Sequence, residues 1–178
     1  KFFKKILCVF LMSFFFLKIE KVRSIVPNYY FPTSQNLKRQ SLSIAQNAYQ
    51  LLYFGQYKES LNLAKLAVKI DSTNEKSWLI LSQAQSANKL YERALNSLSK
   101  AQKINSKNSE IYFAKSDIYL KIRQLQEAKS AIEYGLKMDP NNHLAIFQLG
   151  NISLMEKNFL AAIKLFDKSV KIKPDFWQ

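Results

Sequence analysis

Few side chains in this sequence are spaced for covalent chemistry. His143 is its single histidine and Cys8 its single cysteine, so neither a histidine–cysteine metal site nor an internal disulfide is available. No glycine-rich phosphate loop, nucleophile elbow or H-E-x-x-H segment occurs. The 13 acids are scattered singly among 27 Lys and Arg, and no two are placed to work as an acid–base pair. Asn151-Ile152-Ser153 fits a glycosylation triplet but lies inside a helical pattern, where it is read as chance. These absences predict a protein that is not an enzyme and needs no cofactor or metal. The remaining chemistry is binding. Lys100, Lys103, Lys107, Lys164, Lys168, Lys171 and Lys173 stand near predicted helix ends, where cations suit the helix dipole. They are read as a solvated convex face, the alternative being contact with the phosphates of anionic lipids or RNA.

The elements that would position a binding surface follow from periodicity. Residues 143–174 read as two amphipathic helices joined by a polar turn, with Ile146, Leu149, Gly150 and Ile152 on one face of the first. Ala162, Ile163, Phe166, Ser169 and Val170 mark the second, and Pro174 stops it because it has no N–H to donate. One such hairpin cannot bury its own apolar face. Others stand at a fixed interval: Ala67, Ala101, Gly135 and Ser169 are 34 positions apart. The same step relates Tyr57, Tyr91, Leu125 and Phe159, and also Ala48, Ser82, Ser116 and Gly150. It relates Ile70, Ile104, Met138 and Ile172, and Ser60, Ala94, Ala128 and Ala162 as well.

A helix–turn–helix unit of this period resembles the tetratricopeptide repeat (TPR) family. Trp78 and Leu81 match its W-x2-L step, Leu149-Gly150 its L-G, and Tyr119 the tyrosine that follows. Ala94 with Leu98, Ala128 with Ile132 and Ala162 with Phe166 match A-x3-F, while Pro140 and Pro174 match the closing proline. The first copy departs, with Ser60 and Ala64 in the A-x3-F places and Ser72 for the proline. The resemblance implies an all-α fold, a right-handed superhelical solenoid of four TPR hairpins at 41–74, 75–108, 109–142 and 143–176. Residues 177–178 would open a truncated fifth repeat, covering the face near Phe166 and Val170. Ala48, Ser82, Ser116, Gly150, Ala67, Ala101, Gly135 and Ser169 are then the points where neighbouring helices pack closely.

The resemblance also implies a function. First helices of TPR hairpins line a concave groove, which here would comprise Ala45, Tyr49, Leu79, Gln83, Phe113, Asp117, Lys121, Phe147, Asn151 and Met155. Such an apolar and aromatic strip suits a peptide or protein segment, so a protein partner is expected and nucleic acid is not. TPR domains that clamp chaperone tails have Lys and Asn where this chain has Ala45 and Tyr49, which argues against that ligand.

Ahead of the repeats, Lys1, Lys4 and Lys5 precede a run from position 6 to position 17 that is apolar but for Ser13. As a helix it would span about 18 Å against a bilayer core of about 30 Å. Residues 1–24 are read as a signal peptide cleaved before Ile25, with Val22 and Ser24 at −3 and −1, or as an uncleaved membrane anchor. They hold six Lys/Arg and one Glu, a net of +5, and the rest keeps +9 of the formal +14. Residues 25–40, with Pro27 and Pro32, are expected to be an extended linker. The chain resembles small signal-bearing TPR proteins of cyanobacteria, among whose relatives are assembly helpers of the photosynthetic membrane. That implies export to the periplasm or thylakoid lumen, or anchoring in the membrane.

Overall fold

The computed structural model describes residues 33–177; the apolar segment and most of the expected linker lie outside them. The chain divides into two compact units, residues 1–37 and 38–178, and the second holds the repeats. Among the described residues eight α-helices follow in order: α1 Ser34–Tyr53, α2 Tyr57–Ile70, α3 Glu75–Ala87, α4 Tyr91–Ile104, α5 Ser109–Lys121, α6 Leu125–Met138, α7 His143–Met155 and α8 Phe159–Ile172. A 3-10 turn at Pro174–Trp177 comes last, and no strand occurs among the described residues. None of these helices is long and apolar enough to cross a membrane.

The linker expectation fails from residue 34 onward. Pro32 restricts only the residue before it, and Thr33 then starts a helix, its Oγ1 accepting from the Asn36 N–H at 3.3 Å. With no breaker before Tyr53, α1 runs for 20 residues, against 13 in α3, α5 and α7.

Two kinds of turn alternate along the chain. Within each hairpin the turn residue is left-handed: Gly55 at φ 75°, Lys89 at 60°, Arg123 at 62° and Lys157 at 59°. These too recur at the repeat interval. The N–H groups of Gln56, Leu90, Gln124 and Asn158 reach back to the carbonyls of Leu51, Gln85, Tyr119 and Ser153 at 2.8–2.9 Å. That is the Schellman closure of a helix C-terminus. Only the first copy supplies the glycine that pays no steric penalty there. Between hairpins, side chains do the capping. Asn74, Asn108 and Asn142 accept from Lys76, Glu110 and Ala145 N–H groups at 3.1, 3.0 and 3.0 Å, satisfying donors that the new helix leaves open.

The core is a line rather than a ball. Ala48, Ala64, Val68, Leu81 and Ala84 form one buried cluster; Leu79, Ala94, Leu98, Ala101, Ile111 and Ile118 form the next. Ala128, Ile132, Ala145 and Ile152 form the last. Each fully buried Leu or Ile contributes roughly 1.5–3 kcal/mol. All eight small packing residues named from the sequence are buried. Their serines are mostly satisfied: Ser82 donates to Leu79 O at 2.6 Å and Ser169 to His143 O at 2.9 Å, whereas the Ser116 hydroxyl has no partner. Ser60, the departure in the first copy, fits because its hydroxyl donates to Ala48 O at 2.7 Å.

One expectation about α7 changes. It is apolar nearly all round, its polar side chains being His143, Gln148, Asn151 and Ser153. Its own partner and the preceding hairpin cover more than one side of it, so a single apolar stripe is too narrow, while Leu144, Phe147, Leu154 and Met155 stay exposed.

Candidate peptide-binding groove

Successive first helices bring equivalent residues side by side. Leu79 and Phe113, Gln83 and Asp117, Ile80 and Ala114, and Lys76 and Glu110 are pairs 34 positions apart. With Tyr49, Ser82, Ser86 and Ile118 they line a cavity of about 530 Å³ between α1, α3 and α5. Five residues of the expected strip therefore meet in one place: Tyr49, Leu79, Gln83, Phe113 and Asp117. Leu79 forms the floor and belongs to the core beneath it. Tyr49 stands 55% exposed at the first-hairpin end. The Gln83 carbonyl oxygen is buried without a partner, which is unfavourable unless something in the groove donates to it.

Lys121 lies beside this cavity and is occupied within the chain. Its Nζ pairs with Asp117 Oδ2 at 2.7 Å and donates to Ser86 Oγ at 3.1 Å. Both partners are largely exposed, so the bridge is worth little in stability, but it cancels charge at that rim. Asn151 and Met155 line a separate cavity of about 670 Å³ with Leu120, Arg123, Leu125, Gln148, Ile152 and Leu154. Phe147 lies against Phe166, ring centroids 5.3 Å apart.

Ala45 corrects the expected strip. It is completely buried, because α1 turns this face onto its neighbours, and it offers no surface to a ligand. Sequence reasoning also passed over Lys76, Ile80, Ser86, Glu110 and Ala114, although the repeat step that pairs Leu79 with Phe113 pairs several of these too. No group of three His, Cys, Asp or Glu side chains among the described residues is placed to hold a metal ion.

Comparison with known proteins bears on the fold. The tetratricopeptide-repeat family model matches residues 75–108 and 109–142. Anaphase-promoting complex subunit 3 of Schizosaccharomyces pombe is 24% identical over 117 residues, 66% of this chain but 18% of that protein. Among solved structures, MamA aligns over 87% of this chain and 84% of its own at 18% identity, with a TM-score of 0.66. PilF of Pseudomonas aeruginosa aligns over 78% of this chain and 64% of its own at 17% identity, with a TM-score of 0.72. The first TPR of Spaghetti (RPAP3), solved with the HSP90 peptide SRMEEVD, aligns over 67% of this chain and 95% of its own at 21% identity, with a TM-score of 0.62. Repeats that recur at one fixed interval, fold as stacked hairpins and match the family's own pattern in two windows identify residues 75–142 as tetratricopeptide repeats, and the hairpins on either side share their fold.

Proposed function

We propose that this chain is a non-enzymatic scaffold that holds a peptide or protein segment in the groove between α1, α3 and α5. The observation that carries the reading is the cavity itself. Its lining joins an apolar set (Leu79, Ile80, Phe113, Ala114, Ile118) to hydrogen-bonding groups from Tyr49, Lys76, Gln83, Ser86, Glu110 and Asp117, a mixture that suits both the side chains and the backbone of a peptide. The RPAP3 repeat solved with an HSP90 peptide supports peptide capture as a use of this architecture. Tyr49 in the first repeat argues for a ligand other than a chaperone tail. The finer proposal is an assembly factor for a membrane or photosynthetic complex, exported or anchored through residues 6–17; the lysine-led apolar run supports it.

The test is a selection of random peptides on the full chain, followed by affinity measurement of the best binder. Ile80→Glu, which puts a charge on the half-buried groove wall, is expected to weaken it at least tenfold. Ser99→Glu, on an exposed part of α4, is expected to leave it unchanged. Equal binding by both variants would remove the groove from consideration. The mass of the protein from its native cells, with membrane fractionation, tests the placement: a chain starting at Ile25 supports export, and an intact one in the membrane supports anchoring.

A further inference from the structure

The joint between the second and third hairpins breaks a rule that its neighbours keep. At the preceding joint, Val68 and Leu81 belong to one buried cluster and are 8% and 5% exposed. At the following joint, Leu136 and Leu149 pack against one cluster. The equivalent residues between them, 34 positions from each pair, are Gln102 and Lys115. Both members of an apolar pair have become polar. Lys115 Nζ donates to Gln102 Oε1 at 2.5 Å, Gln102 Nε2 donates to Tyr112 Oη at 3.1 Å, and Tyr112 Oη donates to Ser106 O at 3.0 Å. This chain orients the amide, so that its carbonyl faces the lysine.

Lys115 has only neutral partners, the Gln102 amide and the Tyr112 ring 5.9 Å from its Nζ. It is half-buried, and no carboxylate among the described residues lies within ion-pair distance of it. Burial holds its pKa below the ordinary lysine range, as expected of an ammonium with a neutral partner. A lysine stem can lie along apolar surface with its head in water, but that does not account for Gln102 replacing valine or leucine opposite it. The ammonium has two further N–H donors, and it lines a cavity of about 600 Å³ between α4, α5 and α6. Tyr134, 47% exposed, gives that cavity an aromatic wall backed by the buried Tyr112, ring centroids 4.5 Å apart. Ser130 and Glu127 complete the part used here. The cavity shares no residue with the groove described above.

We infer that this cavity is a second binding site, which takes a carboxylate side chain of an acidic partner segment onto Lys115 with its aliphatic part against Tyr134. Glu127 in the lining opposes a dense polyanion, so a single carboxylate fits better than a run of phosphates. The scaffold then holds two segments at once, one in each cavity, and the site stands or falls independently of the groove.

The experiment uses the full chain and follows the Lys115 Nζ and the Tyr112 and Tyr134 ring signals by NMR. Three probes are added in turn: a capped pentapeptide with one central glutamate, its glutamine counterpart, and inorganic phosphate. The glutamate peptide is expected to shift these signals saturably, with responses to the other two at least tenfold weaker. Gln102→Val with Lys115→Leu gives the joint the residue types of its neighbours; it is expected to raise the thermal midpoint while the ring response falls at least tenfold. Lys115→Gln, which keeps the polar head without the charge, provides the same binding comparison should the double variant not fold. An undiminished ring response in these variants overturns the proposal. So does equal binding of phosphate or the glutamine peptide, or an equal shift of all lysines.

Discussion

The third and fourth hairpins solve one packing problem in opposite ways. In the third, a phenylalanine on the first helix sits over a glycine on the second: a Cβ at Gly135 would meet the Phe113 ring at 2.5 Å. In the fourth, the glycine is on the first helix and the ring on the second, with a Cβ at Gly150 meeting Phe166 at 2.6 Å. The exchange decides the fate of equivalent residues. Phe113 is half-buried in its glycine seat, whereas Phe147, 34 positions on, has Ser169 in place of that glycine and stays 37% exposed. Ile132, in the register of Phe166, is fully buried. A repeat frame thus fixes where helices come close, while leaving open which helix supplies the bulk.

The largest expected difference is between the two phenylalanines. Phe113→Ala is expected to lower stability by about 2–3 kcal/mol through the void it leaves, and Phe147→Ala by about 1 kcal/mol or less because less apolar area is lost. Urea unfolding midpoints at constant slope measure both, and equal losses would erase the distinction. Next come the seats themselves. Gly135→Ala and Gly150→Ala are each expected to cost about 1–3 kcal/mol by overpacking. Phe113→Leu should relieve the first and not the second, and Phe166→Leu the reverse, with coupling of about 0.5–3 kcal/mol in each double-mutant cycle. Cross-relief would mean that the seats are not separate.

A smaller effect is expected to be the same in both hairpins. Arg123→Gly and Lys157→Gly relieve a left-handed residue in an otherwise identical turn, and each should stabilise by about 0.5–1 kcal/mol after glycine's own entropy is counted. Unequal shifts in thermal midpoint would show that the turns differ as well as the seats. The smallest concerns the tie between the hairpins, Lys129 Nζ to Glu156 Oε2 at 2.9 Å. The Lys129 hydrogen bond, assisted by Gln126, holds the Glu156 carboxyl below its usual range. Its contribution is therefore present above the ordinary carboxylate pKa and is lost as pH falls through the lowered one. Glu156→Gln should remove that part of the pH dependence of the thermal midpoint, and an unchanged profile would show that the tie carries none of it.

Much of this was legible from spacing alone. Small residues recurring at one interval located the hairpins and their contacts, because a close approach demands a small residue whatever surrounds it. The left-handed turn was hidden, since Lys89, Arg123 and Lys157 are not the glycine that such a turn ordinarily asks for, and only Gly55 hinted at it. The groove was legible in part. Leu79 and Phe113 follow from the frame, but the burial of Ala45 depends on how α1 lies against its neighbours. The division of the strip into two cavities depends on side-chain volumes that periodicity does not report. The start of α1 at Ser34 was obscured by a proline whose restraint acts backward along the chain.

The alternation of turns also governs how quickly this chain can find its structure. Inner turns close through backbone bonds between near neighbours in sequence, and outer ones through asparagines close to their donors. Even a bond between hairpins, such as Ser41 to Ser77, closes a loop little longer than one repeat. Low contact order of this kind places folding in the microsecond-to-millisecond range of helical proteins. Order can begin at any hairpin and spread to its neighbours.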